Sequence, residues 1–395
     1  MNIKKMFLEF LIVISVFLCV SGLDIYLSRS GYLVGGSLIG VLFVLGMFFI
    51  LAMKSNGHIK INNASIWPLI SLWAFFSFLI WVLCSVFFAP DIVSAGLAFF
   101  RYCLYMLVAI FIGIIVLMPS YKKYVTAGVI VAILLICGTI WVDVISPKKY
   151  FSEGARPAGI MINPNAGAQA ATMLLLLAFV LLRSTRSLLI IMGFVAVSVL
   201  VTLSRSGFLL LFLCILSGFY LRKEIGFSFN YKFLVSVAVI SLFLVGSAFV
   251  YFNMVVNLTV LNRLEYMFSD GGFVDLDDPR VQLAKKYFDL WLERPILGFG
   301  TASTYSGEFD IKGATHNLYL KILVENGVIG LSFFIISLLC FMFGNCIRSG
   351  WGYVLPWCLV AAWGVFANGL LDNRLFYIVI VILSLSPAIM RVNKP

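Results

Sequence analysis

Long apolar runs, each of roughly 18 residues or more, recur from one end of this 395-residue chain to the other. As a helix, such a run matches the hydrocarbon width of a bilayer and satisfies every backbone polar group within its own segment. The recurrence excludes a lone signal peptide, after which the runs would stop. Composition agrees: 62% of residues are hydrophobic and 11% charged, against about half and a quarter in soluble domains. At about 20 residues per crossing, the length fits roughly a dozen spans. The expected fold is an all-α integral membrane protein.

The runs place spans near residues 6–22, 32–53, 66–89, 93–118, 124–146, 160–182, 187–203, 206–222, 233–255, 317–343, 351–370 and 374–390. The stretch from Arg186 to Arg222 is too long for one span. It divides at "LSRSG", where Ser204, Ser206 and Gly207 can form a turn.

The net charge of +11 belongs to topology and not to a nucleic-acid partner, because the basic residues sit in short loops between apolar runs. With a cytoplasmic N-terminus, the cytoplasmic side receives Lys4, Lys5, Lys54, Lys60, Lys122, Lys123, Arg183, Arg186, Arg222, Lys223, Lys232, Arg348, Arg391 and Lys394. The opposite short loops hold only Arg29, Lys148, Lys149, Arg156, Arg205 and Arg374. The asymmetry predicts twelve spans with both termini in the cytoplasm. The eight cysteines lie mostly inside apolar runs and read as small packing residues, with no disulfide or metal spacing.

This topology divides the chain into residues 1–255 with nine spans, an extracytoplasmic segment over 256–316, and residues 317–395 with three more spans. Nine of the 17 acidic residues fall in the middle segment. Within it, "DDPRVQLAKKYFDLWLERPILGFG" predicts an amphipathic helix with Asp278 as N-cap and Pro279 at its first position. Val281, Ala284, Phe288 and Trp291 repeat at helical spacing, Lys285, Asp289 and Glu293 take other faces, and Pro295 followed by "LGFG" ends the helix. Such a helix can lie over the membrane surface like a lid, or pack on the bundle.

The extracytoplasmic side also holds Arg156, Arg205, Arg280, His316, Asp372 and Arg374, and Arg101 falls about a third of the way into its span. Charges at membrane depth are costly and tend to face a polar cavity or one another. Arginine forks bind phosphate oxygens bidentately, so Arg205, Arg280 and Arg156 are candidates for holding a pyrophosphate head group. The alternative for each is snorkelling, or pairing with Asp372 or Glu153. In "INPNAGAQAA", Asn163, Pro164 and Asn165 form a turn and cap, and Gly167, Ala168 and Ala170 permit close packing. His316 is the candidate general base, since neutral imidazole accepts a proton near physiological pH. The alternative is that Thr315 caps the helix and His316 fills an interface. His58 reads as a solvated cytoplasmic loop residue. "DLDDP" lacks the glycine and distal glutamate of a calcium loop, and no Walker loop, catalytic triad or zinc signature occurs. No metal or cofactor is implied.

Taken in order, "RPAGIMINPN", "TLSRSG", "DPRVQLAKKYFDLWLERPILGFG" and "THNLYLKILVENGVIG" resemble the bacterial O-antigen ligase and polymerase superfamily, over roughly Arg156 to Gly330. The most specific parts are the P-x-x-G-x-G ending of the loop helix and the H-N-x-Y-L-x-x-L-x-E-x-G-x-x-G block. The resemblance implies a metal-independent, inverting glycosyltransferase of the inner membrane, acting at its periplasmic face without nucleotide sugar or ATP. The donor would be a glycan on undecaprenyl pyrophosphate. The acceptor would be a sugar hydroxyl of lipid A–core in a ligase, or a second lipid-linked glycan in a polymerase. His316 would be the base, Arg205 and Arg280 would bind the pyrophosphate, and Arg156 would assist. The turn reads Ser-Arg-Ser-Gly where many relatives have Ser-Arg-Gly. A glycolipid flippase or transporter is the alternative from another class. It would more often show internal repeats or helices broken near the bilayer midplane.

Overall fold

The computed structural model describes residues 3–30, 41–42, 44–46, 66–146, 150, 156–224, 279–305, 309, 315–367 and 369–391. The span near 233–255, most of that near 32–53, the Asp278 cap, Glu153 and His58 lie outside the described residues. The described helices are α1 (Ile3–Ser21), α2 (Leu23–Arg29), α3 (Ile66–Val86), α4 (Ile92–Leu117), α5 (Pro119–Ile145), α6 (Pro164–Leu181), α7 (Thr185–Val201), α8 (Arg205–Glu224), α9 (Pro279–Glu293), α10 (Leu318–Ser349), α11 (Val354–Phe366) and α12 (Arg374–Arg391). No strand occurs among the described residues. By length and composition α4, α5, α6, α8 and α10 are each able to cross a membrane, and α1, α3, α7, α11 and α12 are shorter apolar helices.

Local chemistry sets the helix ends. Asp91 caps α4 by accepting from the amides of Val93 and Ser94 at 3.0 and 3.1 Å. Hydrogen bonding from Ser94 holds its carboxyl below the usual range. The apolar stretch after Arg186 breaks where expected. α7 stops at Val201, Leu203 takes a positive φ of 51°, and Ser204 Oγ accepts from the Gly207 amide at 3.0 Å to start α8.

The bundle has two chemically different ends. At the basic end, the Arg222 guanidinium donates to the Leu182 carbonyl and Lys122 Nζ donates to the Ile389 carbonyl at 3.3 Å. These cations satisfy carbonyls that the last turns of α6 and α12 leave open. Lys122 also feels the charges of Arg183 and Arg222, so three of the loops read as basic gather here.

The other end is uneven. α4 and α12 run side by side in the same direction: Arg101 meets Asp372, the Tyr105 and Tyr377 rings lie 6.0 Å apart, and a Cβ on Gly113 would press on Val381. α12 begins only at Arg374, so α4 outreaches it by the nine residues from Ile92 to Arg101, about 14 Å at 1.5 Å per residue. The turn between α11 and α12 is therefore recessed.

α10 does not follow the single-span expectation. It is broken at Gly327, whose φ of 66° and ψ of −172° are not helical. Its first arm, residues 318–326, folds back beside the second, residues 328–349. The Tyr319 and Phe334 rings stand 6.3 Å apart, although fifteen residues of straight helix would separate them by about 22 Å. The neighbouring helix gives the same register. α11 packs Trp357 on Phe341 of the second arm, while its Ala361 carbonyl accepts from the Tyr319 hydroxyl at 2.8 Å.

A chain insertion holds the break open. The segment after α9, "PILGFG", threads into it and exchanges backbone hydrogen bonds with both arms. Phe299 and Gly300 amides donate to the Val324 and Glu325 carbonyls, both at 2.8 Å, and the Val328 amide donates to the Pro295 carbonyl at 2.9 Å. Trp81 Nε1 takes the Asn326 carbonyl at 2.9 Å, and Ser85 Oγ donates to Asn326 Oδ1 at 2.7 Å. A Cβ at Gly298 would fall 2.6 Å from the Gly327 nitrogen, one at Gly300 would strike the Ala89 backbone, and one at Gly327 would strike the Ile296 carbonyl. The P-x-x-G-x-G and E-x-G parts of the two motifs are thus the halves of one structural lock.

α9 forms as expected but buries a different face. Tyr287 and Leu290 are 2% and 9% exposed and pack on Val324, Phe299 and Leu320, whereas Val281 and Phe288 are 45% and 46% exposed. The helix has apolar residues over more than one face, and spacing alone does not choose between them. The lock chooses, because it fixes the direction in which α9 leaves α10.

Arg374 and Asp24 form a buried ion pair, each side chain 1% exposed. Arg374 Nη1 donates to Asp24 Oδ2 at 2.7 Å, tying α12 to α2. Removing one partner leaves the other charge buried and uncompensated, so Arg374→Ala or Asp24→Ala should cost about 3–5 kcal/mol. The double change Arg374→Met with Asp24→Leu should cost less than either single change. Thermal unfolding in detergent checks both statements.

Candidate active site

Two of the singled-out stretches meet where α6 and α8 begin. Asn163 caps α6, its Oδ1 accepting from the Asn165 amide at 2.9 Å, and Pro164 takes the first helical position. Ser204 Oγ donates to Asn165 Oδ1 at 2.7 Å, joining "INPN" to "LSRSG". Small residues allow the approach: a Cβ on Gly207 would lie 2.6 Å from the Ala168 Cβ. Arg205 is the first residue of α8 and is exposed. Arg156 is half-buried in the segment leading to the same corner. That segment is anchored by Asp143, whose Oδ2 accepts from the Ala158 and Gly159 amides at 3.0 and 3.3 Å. Two parallel helix starts, one of them opened by an exposed arginine, make an electropositive corner.

His316 lies at the start of the fold-back arm. It is exposed, with a φ of 51° that is uncommon for a non-glycine residue. The capping alternative is corrected in detail. Asn317, and not Thr315, is the N-cap, its Oδ1 accepting from the Leu320 amide at 3.1 Å. The Thr315 hydroxyl is occupied within the turn, accepting from the Asn317 amide at 3.2 Å. His316, between them, is exposed and is not the residue whose side chain caps α10.

α11 connects the two places. Tyr319, three residues beyond His316, bonds the Ala361 carbonyl, and Gln169, four residues beyond Asn165, donates to the Trp363 carbonyl at 3.4 Å. The His316 arm and the α6–α8 corner thus flank the same turn of α11, at the recessed end of the bundle. Arg280 is in the first turn of α9. α9 and the arm both run toward the lock, so the backbone of Arg280 lies on the His316 side of it, about 20 Å from the end of α9 at 1.5 Å per residue.

Asp372 and Arg374 do not act as free charges here. Arg374 belongs to the buried pair with Asp24, and Asp372 lies 3.4 Å from Arg101 and 3.1 Å from Lys321. Sequence reasoning passed over Lys321, Glu325 and Tyr305. Lys321 and Glu325 are 1% and 2% exposed, and the Thr304 hydroxyl donates to Glu325. The signal was two charges inside an apolar helix pattern. Tyr305 lies in the turn Ser303–Tyr305 beyond the lock, and its hydroxyl accepts from Lys321 Nζ at 3.2 Å.

Five described helices long and apolar enough to cross a membrane, with the exposed Arg205 and His316 toward one end of the bundle, fit a helical membrane protein. Residues 190–335 match the family model Wzy_C, described as O-antigen ligase. Over those residues the chain is similar to that family, which supports the resemblance to the O-antigen ligase and polymerase superfamily, whose members are glycosyltransferase-like ligases and polymerases. The match includes Arg205, Arg280, the lock and His316, and leaves Arg156 outside. No curated protein matches the chain.

Proposed function

We propose that the protein is an inverting glycosyltransferase of the ligase type, moving a glycan from undecaprenyl pyrophosphate to a sugar hydroxyl of lipid A–core at the periplasmic face of the inner membrane. The observation that carries this reading is the placement of His316 and the Arg205 corner on either side of one turn of α11. In this reading His316 draws the proton from the acceptor hydroxyl, whose oxygen attacks the anomeric carbon. The bond from that carbon to the pyrophosphate oxygen breaks on the opposite face, which inverts the centre. The electron pair leaves with the pyrophosphate, where Arg205, Arg280 and Arg156 meet the gathering charge. The reaction needs a site open to both substrates, and the start of α12 stands about 14 Å behind the start of α4 at this end.

Purified protein in vesicles, given lipid-linked glycan with either lipid A–core or a second lipid-linked glycan, tests the acceptor. Product on lipid A–core alone supports the ligase reading, and product on the second lipid-linked glycan alone replaces it with a polymerase. Arg205→Ala is expected to slow transfer about 10²-fold or more. Arg205→Lys should recover part of the loss, because an ammonium keeps the charge without the bidentate fork. Initial rates on the accepted substrate measure both.

A further inference from the structure

Lys321 is a buried charge to which the proposed reaction gives no task. Its side chain is 2% exposed within the fold-back arm. Nζ lies 3.1 Å from Asp372 Oδ2, 3.2 Å from the Tyr305 hydroxyl and 4.6 Å from the Tyr305 ring centre. The partners come from separate pieces of chain: the turn that follows the lock and the turn between α11 and α12. Asp372 is in turn 3.4 Å from Arg101 of α4.

Burying a lysine in an apolar arm is costly, and a well-packed apolar residue of similar volume is often as stabilising. What an ion pair adds is direction, since it has one good geometry where apolar contacts tolerate sliding. The arm needs that. The lock holds the end at Gly327, and the Tyr319 hydroxyl ties the arm to α11 alone, through the Ala361 carbonyl at 2.8 Å, so nothing in either contact fixes the arm against the turn before α12. Lys321 lies little more than one helical turn from His316, toward the end of the arm that the lock does not hold.

We propose that Lys321 is a positioning residue. It pins the outer part of the arm to Asp372 and Tyr305, and so sets where His316 stands relative to the α6–α8 corner. The proposal rests on the reading of His316 as the acting base.

Full-length Lys321→Met protein in vesicles tests it. Glycan transfer should fall about tenfold or more in kcat with little change in donor KM, because a small displacement of a catalytic group is felt mainly in the transition state. Lys321→Arg should recover most of the loss. Asp372→Asn should match Lys321→Met, and the double variant should be no worse than either single one. Amide hydrogen exchange gives a readout independent of catalysis. Peptides covering 315–326 should exchange about tenfold faster in Lys321→Met, while those from α4 and α6 keep their rates. Unchanged exchange in the arm, or faster exchange with wild-type kcat, overturns the proposal. If Lys321→Met does not fold, Asp372→Asn carries both measurements. Failure of the underlying reading looks different. His316→Ala would still transfer glycan while the arm in Lys321→Met exchanged faster, which would overturn the catalytic part of the proposal alone.

Discussion

His316→Ala protein is expected to reach the membrane folded and to transfer glycan about 10²–10⁴-fold more slowly than wild type, the range a positioned general base supplies. Folding should survive because other residues make the cap and the turn at this helix start. Asn317 caps α10 and the Thr315 hydroxyl closes the turn, so truncation leaves both hydrogen bonds in place. The backbone is a separate concern, since residue 316 has a φ of 51°. His316→Asn controls for it, because asparagine is enriched in that region and carries no base of comparable strength. Both variants should be slowed in that range, with unfolding temperatures within a few degrees of wild type. Transfer at near wild-type rate by either would remove His316 from the chemistry.

Gly327→Ala should be the most damaging glycine-to-alanine change among the described residues. The new Cβ strikes the Ile296 carbonyl, and the residue must keep a φ of 66°. The left-handed backbone costs about 1–2 kcal/mol for a residue with a Cβ. Displacing "PILGFG" from the break also forfeits several backbone hydrogen bonds worth about 1 kcal/mol each. A loss on the order of 3–5 kcal/mol follows, seen as a lower unfolding temperature and lower yield in detergent. Activity should fall with it, because the same lock fixes α9 and the arm that bears His316. Gly138→Ala is the contrast. No atom lies within 4 Å of a Cβ built there, so it should be neutral or slightly stabilising.

Much of the fold was legible because apolar periodicity and helix punctuation are local. The break after Arg186 at "LSRSG" and the cap at Asn163 are decided by residues within a few positions of each other, and both appear in the structure where they were expected. The fold-back of α10 was not legible in the same way. Glu325, Asn326 and Gly327 mark it, yet a polar triplet within an apolar run also fits an uninterrupted helix facing a cavity. What breaks the helix is hydrogen bonding from Phe299, Gly300 and Trp81, which lie elsewhere in the chain. Likewise, α9 was expected from its sequence, but the choice of its Tyr287 and Leu290 face depends on where the lock leaves it.

The candidate site divides along the same line. The residues stood out by type, since arginines and a histidine among the apolar runs of such a chain are expensive to place without a purpose. Their roles in the structure did not follow from type. Arg374 is consumed in a buried pair with Asp24, while Arg205 and His316 remain exposed. Helix lengths, the glycine in the break and the charges to be accounted for were written in the sequence, because each depends on a residue and its near neighbours. The fold-back of α10, the pairing of Arg374 with Asp24 and the partners of Lys321 were decided only by tertiary structure. Each of those depends on contacts between segments far apart in the chain, set by packing and by hydrogen bonds that no local pattern encodes.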